Sequence, residues 1–241
     1  MPRIARIVIA DVAHHVVQRG NNRQDVFFVD DDYRAYLRIL RDQSRAYQLD
    51  VLAYCLMTNH VHLVAVPRQS DSLAKAVGRT DFLYAQYVNR LHRRSGHLWQ
   101  NRFYSCALDE VHLPVAIRYT EQNPLRAGVV KAAPAYRWSS AAAHMGDVDR
   151  DELLDLEKWK QLADPSDWGR VLARAPLKAE VATIRRCTMR GWPLAGDGVL
   201  AKLEKRMNRR LRPLGVGRPV GAKDSQRRKR RLKATAEGNN G

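Results

Sequence analysis

Asp50-Val51-Leu52-Ala53-Tyr54-Cys55-Leu56-Met57-Thr58-Asn59-His60-Val61-His62-Leu63-Val64-Ala65-Val66-Pro67 decides the fold of this chain. Asp50 to Met57 reads as one strand. His60 to Val66 reads as the next, and Pro67 closes it because proline cannot donate to a ladder. Residues two apart on a strand point to the same face, so His60 and His62 project side by side while Val61, Leu63 and Ala65 face a core.

Elements fall into place on either side. Ala13 to Gln18 is a β-branched strand that ends in a turn at Gly20-Asn21-Asn22. Asp31 to Tyr47 has Tyr33, Tyr36, Leu37 and Leu40 at helical spacing, with Asp30-Asp31-Asp32 suited to the cap and first turn. Leu73 to Leu91 is a long helix, Trp99 to Leu108 a strand rich in aromatics, and Val111 to Gln122 a helix stopped by Asn123-Pro124. The order is β-α-β-β-α-β-α. Its first six elements make the ferredoxin-like, split βαβ arrangement, an α+β fold with a four-stranded antiparallel sheet and two helices on one face. The other face is left free for a ligand and an added helix.

The 241 residues suit a domain with appendages. Residues 10–145 read as the globular α+β domain and 146–198 as a helical extension anchored by Trp159, Trp168 and Trp192. Residues 199–241 read as a basic, largely disordered DNA-binding tail holding the charge run from Gln226 to Lys233. Lys and Arg number 42 against 25 Asp and Glu, a net charge of +17, which calls for a polyanionic partner. No apolar stretch approaches the roughly 20 residues of a membrane span, and the apolar run near the N-terminus is too short for a signal peptide. Cys55, Cys106 and Cys187 stand far apart, which argues against a disulfide framework or a zinc knuckle. A cytoplasmic, nucleoid-associated protein is expected.

Two adjacent imidazoles on one strand face can grip a divalent metal. Among the eight histidines of the chain, such a pair can equally be solvated or stack on a base. Arg118 to Gly128 adds a second element. Tyr119 and Asn123 are four residues apart and share a helical face. Asn123 could offer its carbonyl oxygen as a third ligand, and Tyr119 its hydroxyl beside the same ion. Tyr119 could otherwise be an ordinary half-buried helical tyrosine. Three protein ligands would leave positions for phosphate and water on Mg²⁺ or Mn²⁺. Gln122 lies about 100° round the helix from Asn123. His112, seven residues before Tyr119, is a rival metal or base candidate.

Four blocks, His14 to Arg23, Met57 to Leu63, Leu98 to Tyr104 and Tyr119 to Gly128, together resemble the REP-associated tyrosine transposases. These are relatives of the insertion-sequence transposases in the His-hydrophobe-His endonuclease superfamily. The resemblance implies that His60 and His62 are metal ligands and that Asn123 completes the site. Tyr119 would be the nucleophile, forming a 5′-phosphotyrosine and leaving a free 3′-hydroxyl. Many insertion-sequence relatives have glutamine where Asn123 stands, whereas the REP-associated branch commonly has asparagine. The resemblance further implies single-stranded DNA hairpins, the repetitive extragenic palindromes, as partners, and a monomer rather than a homodimer.

Candidate DNA contacts are Arg19, Asn21, Asn22 and Arg23 in the first turn, Trp99, Gln100 and Arg102 in the aromatic strand, and Arg126 after the tyrosine helix. The alternative is a non-catalytic nucleic-acid-binding module with an RNA-recognition-type sheet. Such a module needs exposed aromatics where His60 and His62 lie.

Overall fold

The computed structural model describes residues 6–162 and 165–212. At its centre lies β1 (His14–Arg19), flanked by β3 (His60–Pro67) and β4 (Tyr104–Ala107), with β2 (Leu49–Met57) beyond β3. The order β2-β3-β1-β4, antiparallel throughout, is that of the split βαβ plan. The expected α+β, ferredoxin-like fold is what forms.

Register sorts the side chains. Val17 pairs with His62 on β3 and Tyr104 on β4, and His15 pairs with Val64 and Cys106. Directly paired residues share a face, so His15, Val17 and Arg19 stand with His60 and His62. Val16, Val61 and Leu63 face the opposite way. There they meet α1 (Asp30–Ala46) and α2 (Ser72–Leu91), and Tyr36, Leu37, Leu40, Leu73, Val77 and Tyr84 complete that core. α1 begins where Asp32 turns back, its Oδ2 accepting from the amides of Phe28 (2.8 Å) and Val29 (3.1 Å).

The histidine-bearing face, expected to take a ligand and an added helix, is covered by several helices. α3 (His112–Glu121) and the short α4 (Asn123–Arg126) lie on it. After α5 (Ala141–His144) come α6 (Leu156–Leu162), α7 (Pro165–Ala173) and α8 (Lys178–Arg190). Leu113, Ile117, Trp159, Trp168, Ile184 and Leu194 form a second core there. The extension carries too many large apolar side chains to stand in solvent, and this sheet face is where they are buried. A polar network pins it. The fully buried Glu121 carboxylate accepts from Ser140 Oγ (2.5 Å) and Trp168 Nε1 (2.7 Å) and lies 2.6 Å from His144 Nδ1.

Two other expectations change. The strand expected from Trp99 is confined to Tyr104–Ala107. Residues 98–103 instead form a loop bound through its main chain to the first turn. Asn21 N donates to Leu98 O (2.8 Å), Gln100 N donates to Arg19 O (2.9 Å), and Gly20 bridges Trp99. The boundary expected at residue 199 falls inside α9 (Asp197–Met207), and the remainder of the basic tail, from 213, lies outside the described residues. Among the described residues, no helix is long and apolar enough to cross a membrane.

The close approach at this turn requires glycine. A Cβ on Gly20 would sit 2.3 Å from Gln24 O and 2.8 Å from Val26 Cγ1. Gly20→Ala is expected to lower stability by about 1–3 kcal/mol through overpacking, read as a lower urea midpoint at unchanged slope.

Candidate active site

His62 is buried, 4% exposed, in the angle between β3 and α3. His60 lies nearer the surface, with ring centroids 5.0 Å apart. Tyr119 descends from α3, its ring 5.6 Å from His62 and 5.5 Å from His15, edge-on to both. The structure therefore brings the two strand histidines and the helical tyrosine together, with His15 as a fourth member.

His15 is not among the expected site residues, although it lies in the block from His14 to Arg23. Its Nε2 is 3.0 Å from His62 Nδ1, and its Nδ1 is 2.8 Å from Thr188 Oγ1 on α8. Protons in such a chain can run either way. If His62 Nδ1–H donates to His15, and His15 Nδ1–H to Thr188, then His62 Nε2 keeps a lone pair. The reverse direction protonates Nε2. His60 is simpler: its Nδ1–H donates to Asn59 Oδ1 (2.6 Å), which leaves Nε2 as acceptor.

Burial first, and then the neighbouring cations Arg19, Arg126 and Arg185, push His60 down to about 4. His62 is held well below its usual value by burial and then by His60 and His15. His15 falls to about 3 by burial and Arg126. At neutral pH all three rings are uncharged, the state in which imidazole binds a metal.

Asn123 is 7% exposed and shares the helix end with Tyr119. Its Nδ2 donates to Tyr119 O (3.2 Å) and Thr120 O (3.1 Å), and its Oδ1 accepts from Arg126 Nη2 (2.6 Å). Gln122 is turned away, its amide donating to Leu172 O and Arg174 O, both at 2.7 Å. His112 is tied to Asp109, 2.5 Å away at the start of α3. Arg126 does not lie free on the surface. It donates to Tyr119 O (2.8 Å), with its guanidinium carbon 4.1 Å from the Tyr119 ring centroid. From α8, Arg185 Nε donates to Tyr119 Oη at 3.2 Å.

Three guanidiniums, Arg19, Arg126 and Arg185, thus surround the histidine pair, and none of them pairs with a carboxylate among the described residues. Nor, among those residues, is there a group of three or more His, Cys, Asp or Glu side chains placed to hold a metal. A divalent ion here would need an amide or backbone ligand beside the histidines. The site is neutral to cationic, a charge balance that suits an anion.

The candidate DNA contacts converge beside it. Asn22 and Arg23 are exposed, with left-handed backbone (φ 50° and 60°), on the turn that docks against the loop of Gln100 and Arg102, both also exposed. Asn21 is partly exposed on the same turn. Trp99 is half-buried against the first core and donates from Nε1 to Asp81 O (2.9 Å), so its ring serves packing.

The family model for IS200-like transposases matches residues 8–123 of this chain. Its span runs from before β1 to Asn123 and contains both histidines and the tyrosine. Among solved structures, the fold is similar to a REP-associated tyrosine transposase bound to a REP hairpin. That likeness has 16% identity and a TM-score of 0.52, over 60% of this chain and 85% of the other. A candidate transposase from Deinococcus radiodurans is 22% identical over 51% of this chain and 97% of its own, at a TM-score of 0.36. No curated protein matches the sequence.

Buried neutral histidines make stability depend on pH. His14, away from the site, is also fully satisfied when neutral: Nδ1–H donates to Val12 O (2.7 Å) and Nε2 accepts from Ile9 N (3.3 Å), and burial takes it to about 4. Unfolded histidines titrate near 6.5. Below that pH the unfolded chain binds more protons than the folded one, so stability falls as pH drops. Asp81, raised well above the carboxylate range by burial, opposes this with one proton. The four histidines outweigh it. The thermal midpoint should fall steadily between pH 6.5 and 5, and His14→Gln should flatten that slope by about one proton's worth. A midpoint independent of pH over that window would contradict the assignment.

Proposed function

We propose that this chain is a metal-dependent, single-tyrosine transposase that cleaves and rejoins single-stranded DNA at hairpins. The observation that carries the reading is the packing of the Tyr119 ring against His62, on the face that His60 shares, beside three arginines that no carboxylate among the described residues neutralises.

The donor set fits a hard divalent ion such as Mg²⁺ or Mn²⁺. His60 and His62 would present Nε2, and Asn123 Oδ1 is the third donor once Arg126 releases it. When bound, the ion would polarise a phosphoryl oxygen and orient the scissile phosphate. The protein's own groups do the rest. Tyr119 Oη attacks phosphorus, an O–P bond forms to the 5′ side, and the bond to the 3′ oxygen breaks. The tyrosine proton is lost and the 3′ oxygen leaves as a free hydroxyl. In joining, a 3′-hydroxyl attacks the phosphotyrosine and Tyr119 Oη is expelled and regains a proton. The first turn and the Gln100–Arg102 loop lie together at the edge of this site, suited to the flank of a DNA hairpin. The similar solved structure is that of a transposase bound to a REP hairpin. The basic residues from 213 onward would add affinity that weakens with salt.

Against a non-catalytic reading, the sheet face carrying the histidines offers His, Cys, Val and Met side chains and the half-buried Tyr104 rather than a row of exposed aromatics, and helices cover it.

The test is an adduct assay with labelled single-stranded hairpins from the source genome and Mg²⁺ or Mn²⁺. A metal-dependent covalent protein–DNA product is expected, absent in Tyr119→Phe. Binding with no adduct under any metal would sink the reading.

His15 should act through His62. His15→Ala is expected to weaken Mn²⁺ binding about 10–100-fold, measured by titration without DNA. Unaltered Mn²⁺ affinity would refute that role.

A further inference from the structure

α8 lies outside the segment matched by the transposase family model, yet it reaches the reactive centre at two points one turn apart. Thr188 meets His15, and Arg185 meets the Tyr119 hydroxyl itself. Residues three apart share a helical face, and Ile184 and Cys187 beside them are buried in the second core, so α8 is docked with that face toward the sheet. Arg185 is exposed overall and forms no ion pair with a carboxylate among the described residues. Its Nε is spent on Tyr119 Oη, and the same guanidinium carries two further terminal nitrogens as donors.

Resting on the tyrosine-nuclease reading, we infer that Arg185 is a catalytic residue supplied by the helical extension, bridging the nucleophile's oxygen and the scissile phosphate. A guanidinium offers donors in a planar fork, so one edge can hold Oη while the others take a phosphoryl oxygen. Arg126 grips the tyrosine from the other side, through its ring and its carbonyl, and so fixes the backbone and the ring. Among the described residues, it is Arg185 that hydrogen-bonds the oxygen that would form and break the bond to phosphorus. In joining, Oη leaves carrying the electron pair of the O–P bond. A charge-assisted hydrogen bond from Arg185 stabilises that departing oxygen until it takes up a proton from solvent. The same contact positions Oη for attack during cleavage. Residues 8–123 would on this view bear the nucleophile and metal ligands but lack a donor for its oxygen.

The experiment uses the full chain and a hairpin that gives an adduct with wild type, in Mn²⁺. Single-turnover rates of adduct formation, and of its reversal by an added strand bearing a 3′-hydroxyl, are measured at saturating DNA for wild type, Arg185→Ala and Arg185→Lys. Hairpin affinity is measured in parallel. Arg185→Ala should slow both steps about 10²-fold or more while hairpin affinity changes less than about threefold on the scale of a single exposed phosphate contact. Arg185→Lys should recover part of the loss. Arg185 is exposed, so truncation should leave the thermal midpoint nearly unchanged; if it does not, Arg185→Lys decides. Rates equal to wild type in the alanine variant would overturn the inference while leaving the tyrosine chemistry standing. So would a defect that vanishes at saturating DNA, since that describes a DNA contact only. Absence of any adduct with wild type would overturn both.

Discussion

The antiparallel register between β1 and β3 governs this molecule. It sets Val17 opposite His62 and Arg19 opposite His60. Because side chains alternate with a period of two, a slip of one residue would turn both histidines into the core beneath α1 and α2 and bring Val61 and Leu63 out. The apolar residues that alternate with the histidines forbid that slip. The hydrophobic effect, acting on residues with no chemical role, thereby aims those that have one.

The same pairing puts His15 on the site's face, two residues along from Val17, where its ring stacks 5.3 Å from that of His62. Uncharged imidazoles can share this buried space because each nitrogen facing protein has a partner. The positive charge comes instead from arginines at the rim, and it is not neutralised by any carboxylate among the described residues. Glu121, on the same helix as Tyr119, is committed elsewhere: it is sealed beneath Ser140, His144 and Trp168 and holds the extension down. One helix thus has two separate jobs, with an acid used for docking and a tyrosine kept for the site.

Covering the sheet has a consequence for the reaction. Tyr119 is only 4% exposed, and Arg126 and Arg185 contact it from two directions. On the proposed reading, the arrangement would orient the phenol before DNA arrives, and the same arginines would supply the donors that a phosphate needs on arrival. Preorganisation of this kind lowers the cost of ordering the groups during the reaction.

Much of this was legible in the residues themselves. The alternation of His60-Val61-His62-Leu63 determines a strand with both imidazoles on one side, because strand geometry leaves no other choice. The four-residue spacing of Tyr119 and Asn123 predicts neighbours, and they are neighbours, although the helix breaks at Gln122 and Asn123 opens the next one. Local periodicity decides such things, and periodicity is written in the chain. What it could not decide was contact between residues distant in sequence. Thr188 is 173 residues from His15, and Arg185 is 66 from Tyr119. For Trp99 the residues alone left base stacking and core packing both open, and the bonds between its loop and the Gly20 turn, with its own contact to Asp81 O, decide for packing. The sheet face expected to take a ligand and one added helix is also covered by an extension whose apolar surface, taken alone, said only that it must be buried somewhere. Burial is non-directional, so a sequence can demand it without saying against what. Only the packed structure chose the face that puts Arg185 on the tyrosine.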